Sequence, residues 1–261
     1  MRRRHAHAPE LLDALHHDRA ELEQSLDHVA EVNRRLGGSR AVLLALAQLD
    51  RARRDRTRGQ SPTAPPCWTI LDIGTGSADI PLAIDDWARR RSIPVHITAT
   101  DRHPQMREIA AERTRGRDRI SVAAADALEL HFEDDAFDIV LLSLTLHHFE
   151  RGDQVRVLRE AARVARTAVV VNELERSLPS YLGARFLAAT RWRANRLTRH
   201  DGPLSVLQAF TPRELRAIAG AAGLHVASVR RRLLFRLVLV GAKEGHREPR
   251  EGGLPLASSG S

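Results

Sequence analysis

An apolar stretch rich in β-branched residues, Trp68 to Ile73, runs straight into Gly74-Thr75-Gly76 and then into a helical pattern. No other segment restricts the fold so much. A strand, a glycine turn and a helix in succession form the first unit of a nucleotide-binding α/β sheet. Gly74 and Gly76 permit a tight turn and the close approach of a ligand that a Cβ would push away. The acids around the loop narrow the ligand, since Asp72 precedes Gly74 and Asp79 follows Gly76. Carboxylates repel a pyrophosphate at short range. They favour a ligand with a cationic amino-acid end and a sulfonium.

Further elements follow in the same rhythm. Val95 to Thr100 reads as a second strand ended by Asp101, the position where a ribose diol is held by paired hydrogen bonds. A helical stretch runs from Pro104 to about Arg115, and a short strand from Ile120 to Ala124 is closed by Asp126-Ala127. A fourth strand, Phe137 to Ser143, comes after the acidic turn Glu133-Asp134-Asp135. Acids therefore stand at three successive strand tips.

Through LDIGTGSADIP, ATD ending at Asp101, AADAL around Asp126 and FDIVLLSLTLHHF, the chain resembles the class I S-adenosylmethionine-dependent methyltransferases over roughly residues 66 to 242. The resemblance implies an α/β fold with a Rossmann-like, seven-stranded, mostly parallel sheet. A terminal antiparallel hairpin, here Leu224 to Arg230 and Leu233 to Val240, would close it. The implied cofactor is S-adenosylmethionine, leaving S-adenosylhomocysteine as product. Asp72, Gly74 and Gly76 would frame its methionine end, Asp101 its ribose, and Asp126 with the Ala127 N–H its adenine. Thr75, Asp79, Arg102 and Ser143 complete the expected cofactor set. The family's common third loop glycine is Ala78 here, which implies a slightly tighter loop. A different Rossmann-type enzyme is the alternative.

The 261 residues suffice for a full α/β core. No apolar run nears the roughly 20 residues that span a bilayer, and Met1 to His5 lacks the apolar stretch of a secretory leader. Cys67 is the only cysteine, which excludes an intramolecular disulfide. A cytoplasmic setting is expected. The net charge of +8 raises nucleic acid as a partner, but the arginines are scattered over an expected linker (Arg51 to Arg58), a helix end and a strand. With aromatics at only 4%, no basic stripe with stacking platforms forms, and nucleic acid is not expected.

Leucines and valines at three- and four-residue spacings from Leu11 to Leu36 predict helix, broken at Gly37-Gly38 and resumed from Arg40 to about Arg54. The expected organisation is an N-terminal helical lid (1–55), a linker (56–66), a cofactor domain (67–243) with a helical insert (174–210), and a disordered tail (244–261). The insert follows a fifth strand read as Ala168 to Val171. It carries Tyr181, Leu182, Phe186, Leu187, Trp192 and Leu197 at amphipathic spacing. Thr211-Pro212 with Glu214 predicts the capped start of the next helix.

Methyl transfer is an in-line displacement at a sulfonium, so the nucleophile rather than the leaving group needs help. Leu146-His147-His148-Phe149 is similar to a stretch of plant-type small-molecule O-methyltransferases, which puts His147 on that family's base and Glu173 on the carboxylate orienting it. An imidazole suits deprotonation of a phenol at neutral pH. His148 in its place, or a packing role for both, stays open, and His200 beside Asp201 is a further catalytic candidate. His5, His7, His16 and His17 lack acidic partners at ligand spacing, so they are expected in solvent and no metal is expected.

VNRRLGGSRAVLLAL, VVVNELERS and LTRHDGPLSVLQAFTPREL look like a bacterial methyltransferase group associated with type III polyketide synthase systems. That implies O-methylation of a phenolic or pyrone acceptor, small, aromatic and hydrophobic. C-methylation of a quinone precursor and a non-catalytic S-adenosylmethionine-binding regulator are the alternatives. A homodimer is left open.

Overall fold

In the computed structural model, which describes residues 8–57, 67–232 and 234–243, successive residues of the central strands point to opposite layers. Ile139 and Leu141 face one layer, while Val140 and Leu142 face the other. Strands β1 (Trp68–Ile73), β2 (Val95–Asp101), β3 (Ile120–Ala124), β4 (Phe137–Ser143) and β5 (Ala165–Leu174) pair in parallel. β6 (Leu224–Arg232) and β7 (Arg236–Lys243) complete a seven-stranded sheet in the order β3-β2-β1-β4-β5-β7-β6, with β7 antiparallel to both neighbours. The order reverses between β1 and β4, which opens a crevice at their carboxyl ends.

Helices α1 (Arg19–Arg35), α2 (Gly38–Thr57), α3 (Asp79–Arg90), α4 (Pro104–Arg113), α5 (Arg151–Val164), α6 (Leu178–Ala189), α7 (Arg196–Gln208) and α8 (Pro212–Ala221) surround the sheet. α5 and α8 cover one face through Leu158, Ala161, Leu215 and Ile218. α2 and α3 cover the other. Val42, Ala45 and Leu46 of α2 join Ile84 and Trp87 of α3 over Ile70, Ile139, Val170 and Val238. The expected N-terminal lid is thereby corrected, because α2 is a wall of the core. Arg51, Arg53, Arg54 and Arg56 lie on this helix rather than in a linker, and Arg53 and Arg54 pair with Asp50 at 3.1 and 2.7 Å.

Of the described residues ahead of β1, those before α2 line the crevice. Leu22 and Leu26 of α1 pack on Met106 and Ile109 of α4. Ahead of α1 the expected helix gives way to a strap with a single 3-10 turn, Leu11–Asp13, and Leu15 is exposed. The strap is tied to α7, whose Asp201 accepts the Leu11 and Leu12 N–H groups, both at 2.9 Å. His16 is exposed as expected, but His17 is partly covered and stacks on His103.

β5 outruns the expected Ala168–Val171 because β7 extends its ladder, so Glu173 sits inside the strand opposite Leu237 rather than after it. The hairpin turns through Leu234 and Phe235, both left-handed (φ 58° and 65°), and β7 begins at Arg236 rather than Leu233. In the insert, Trp192 and Leu197 are buried while Leu182 and Phe186 are exposed, which splits the expected apolar face. The cap of α8 is as read: Thr211 Oγ1 accepts the Glu214 N–H, and Glu214 accepts the Thr211 N–H. Residues 58–66 of the expected linker, the expected tail 244–261, and His5 and His7 lie outside the described residues. Among the described residues no helix is long and apolar enough to cross a membrane.

Candidate active site

The crevice at the β1/β4 switch deepens into a cavity of about 650 Å³, within the size range of small-molecule sites. Its floor is the glycine loop. Gly74 has φ +70°, and a Cβ there would stand 2.6 Å from Thr145 Cγ2, so only glycine lets the loop pass the end of β4. The Thr75 N–H donates to Thr100 O at 2.8 Å, fixing the loop to β2. Ala78 takes the left-handed φ of 59° that a glycine would adopt freely, at a cost of about 1–2 kcal/mol.

Asp72, Gly74, Thr75, Gly76, Asp79, Asp101, Arg102, Asp126, Ala127 and Ser143 all line this cavity. Asp101 joins two of its walls, accepting the Gly76 and His103 N–H groups at 2.9 Å each. Asp126 accepts the Leu128 N–H, and Ser143 Oγ accepts from Asn172 Nδ2. Burial raises the Asp72 carboxyl to about 7, with the nearby Thr75 opposing the rise and the charges of Asp79 and Asp101 adding to it. Burial also raises Asp79, against the pull of Asn33 and Arg236. The glycine loop is thus ringed by acids that hold their charge at a cost, and a cation relieves them.

One cavity residue carries no local sequence signal. Arg236, wholly buried at the start of β7, donates from Nη2 to Asn33 Oδ1 at 2.9 Å, and Asn33 Nδ2 donates to Asp79 Oδ2 at 2.9 Å. Its Nε and Nη1 have no hydrogen-bond partner among the described residues. Burial lowers this guanidinium to about 10, opposed by Glu173 and Asp79. Two buried donors without acceptors among the described residues have the chemistry to hold an anion.

On the far wall, the Nδ1 of His147 lies 2.8 Å from Glu173 Oε2, and Glu173 Oε1 accepts the Leu146 N–H at 2.8 Å. Burial opposes charge on Glu173, but His147, His148 and the Leu146 N–H bring it below the ordinary range. An ionised carboxylate only accepts, so the Nδ1 of His147 carries the proton and its Nε2 is turned to the cavity, 3.6 Å from Glu10 Oε1. His148 stacks on His147, with Nδ1 3.0 Å from Asp13 Oδ1. Burial disfavours charge on His148, yet Glu10, Asp13 and Glu173 raise it to about 10. The strap residues Glu10 and Asp13 had no place in the sequence reading.

His200 is not brought to this site. Its side chain is half exposed and does not line the cavity, whereas its neighbour Asp201 does and is spent on the strap. The two side chains do pair, with His200 Nδ1 2.7 Å from Asp201 Oδ1, but the imidazole stays outside the cavity lining, which corrects the expectation of a catalytic role.

A methyltransferase-domain family model matches residues 70–168, from β1 into β5. The chain is 32% identical over 130 residues to demethylmenaquinone methyltransferase of Bacillus licheniformis, covering 50% of this chain and 53% of that protein. It is 36% identical over 121 residues to the demethylmenaquinone methyltransferase of a Roseiflexus species, covering 45% and 47%. The chain thus spans about half the length of these curated relatives. Among solved structures it is similar to a SAM-dependent methyltransferase from Aquifex aeolicus (TM-score 0.58, 15% identity, 87% of this chain and 98% of that one). It is also similar to human N-acetylserotonin methyltransferase in complex with SAM (TM-score 0.60, 15% identity, 87% and 56%). The fold is the Rossmann-like fold of class I methyltransferases.

Proposed function

We propose that the protein moves the methyl group of S-adenosylmethionine to a hydroxyl of a small, hydrophobic, phenolic or pyrone acceptor. The observation that carries this reading is a single cavity joining an acid-ringed glycine loop to the His147–Glu173 pair. The cofactor's ammonium and sulfonium would meet Asp72 and Asp79, its ribose Asp101 and its adenine Asp126 and Ala127. Arg236 would take the methionine carboxylate. The acceptor oxygen attacks the methyl carbon as the C–S bond breaks, its electron pair staying on sulfur, and the hydroxyl proton passes to His147. The apolar cavity wall from Leu12, Val29 and Leu187 suits an aromatic acceptor.

The relatives' names favour a second reading, C-methylation of a quinone precursor. Incubation with labelled cofactor and a panel of resorcinols, pyrones and demethylated quinols separates the two. Methyl ethers are expected, and label on a ring carbon would select the second reading. Cofactor binding without transfer to any acceptor would leave a binding protein.

A further inference from the structure

Two histidines from one 3-10 turn and an acid from the strap converge on one point of the cavity wall. The donor atoms of Glu10, His147 and His148 lie within 4.8 Å of one another. Glu10 Oε1 is 3.6 Å from His147 Nε2, and Glu10 Oε2 is 4.0 Å from His148 Nε2. Both separations are too long for hydrogen bonds. They approach the spacing of ligands around one ion, since two donors about 2.1 Å from a tetrahedral centre stand roughly 3.4 Å apart.

The surroundings are those of a built site. Each ring is fixed from behind by a carboxylate on Nδ1, Glu173 at 2.8 Å for His147 and Asp13 at 3.0 Å for His148. That is the carboxylate–histidine support that orients ligating imidazoles and raises their basicity. It directs both Nε2 atoms toward Glu10, whose Oε1 is itself held by Ser205 Oγ at 2.7 Å. Three carboxylates surround the two rings. Chain spacing could not reveal this set, because Glu10 belongs to a different element from the histidines.

We propose that Glu10, His147 and His148 bind a divalent cation of the zinc type, with an open position facing the cavity for the acceptor's oxygen. Two imidazoles and a carboxylate are a donor set suited to such an ion. The proposal rests on the methyl-transfer reading for the identity of that oxygen. It changes one role: Nε2 of His147 becomes a ligand, and the ion acidifies the bound hydroxyl, whose proton leaves to solvent. The ion also clasps the strap over the cavity.

The test is titration of the full chain, stripped with chelator, with cobalt(II). One equivalent should produce visible d–d absorption and slow amide exchange in residues 8–13. Glu10→Gln and His148→Gln should each abolish the stoichiometric band, and Asp13→Asn should weaken binding about 10–100-fold. An absent band overturns the proposal, as does a band of unchanged strength in both ligand variants, which would place the ion on other histidines. Calorimetry with S-adenosylmethionine on the same samples keeps the readings apart. Bound cofactor without cobalt sinks only the metal site, whereas bound cobalt without cofactor sinks the methyl-transfer reading.

Discussion

Arg236 and Asn33 meet at 2.9 Å although one opens the last strand and the other stands in the last turn of the first long helix. Asn33 turns its amide to Asp79 at the same time, so a cation, an amide and an acid form one buried chain beside the glycine loop. Its spare donors, Nε and Nη1 of Arg236, belong to the same cavity lining as the glycine loop.

Arg236→Met should therefore weaken S-adenosylmethionine by about 1.5–3 kcal/mol, the range for losing hydrogen bonds to a charged group. Decarboxylated S-adenosylmethionine offers no carboxylate, so calorimetry should find its affinity equal in wild type and variant. A variant that still prefers the carboxylated ligand would remove Arg236 from recognition.

Asp72 sets the pH response. Its carboxyl is raised to about 7 in the folded protein, above the ordinary value of about 3.9, so the neutral form is the favoured one. This group's contribution to stability is complete below the unfolded value and is lost as pH rises through 7. A cationic cofactor reverses the preference by binding the charged form. Binding should release a proton near neutrality and strengthen as pH rises from 6 to 8. Calorimetry in buffers of different ionisation enthalpy measures that proton, and Asp72→Asn should remove it.

His147→Gln should lower the chemical step by roughly 10²–10⁴-fold in single turnovers while leaving cofactor affinity within a few-fold. Glu173→Gln should give a smaller loss, because it loosens the ring without removing it. The deficit should shrink for acceptors with more acidic hydroxyls. Wild-type turnover by His147→Gln on a weakly acidic phenol would exclude the residue from the reaction.

Leu46, on α2, is buried against the sheet. Leu46→Ala should cost about 2–5 kcal/mol in urea unfolding, the range for a truncated core leucine. Removal of residues 1–17 should leave a folded chain, since that cut spares both α1 and α2. A loss below 1 kcal/mol at Leu46 would make α2 an appendage after all.

What was legible in the sequence was local. β1 and β4 fall where their apolar runs place them, because a strand buried on both faces needs apolar residues throughout, and the edge strand β3 falls where its short run places it. Asp72, Asp101 and Asp126 were legible for a similar reason, each standing at or just past the end of a strand. Glu10 and Arg236 were not, since nothing near either in the chain marks it and only tertiary pairing brings them to the site. His200 does pair with the adjacent Asp201, as the sequence implies, but whether the pair reaches the cavity depends on tertiary packing, and the imidazole is half exposed outside it. Glu173 was assigned by resemblance, and its place inside β5 followed only from the ladder with β7.

The contact of α2 with β5 and β7 also governs how the chain is made. The apolar stripe of α2 leaves the ribosome well before Val238, part of its cover, which lies about 190 residues further along the chain. During that interval an uncovered helix face is free to associate with other chains. A stalled or 3′-truncated message should accordingly yield aggregates held together through residues 41–46, far from the missing strand.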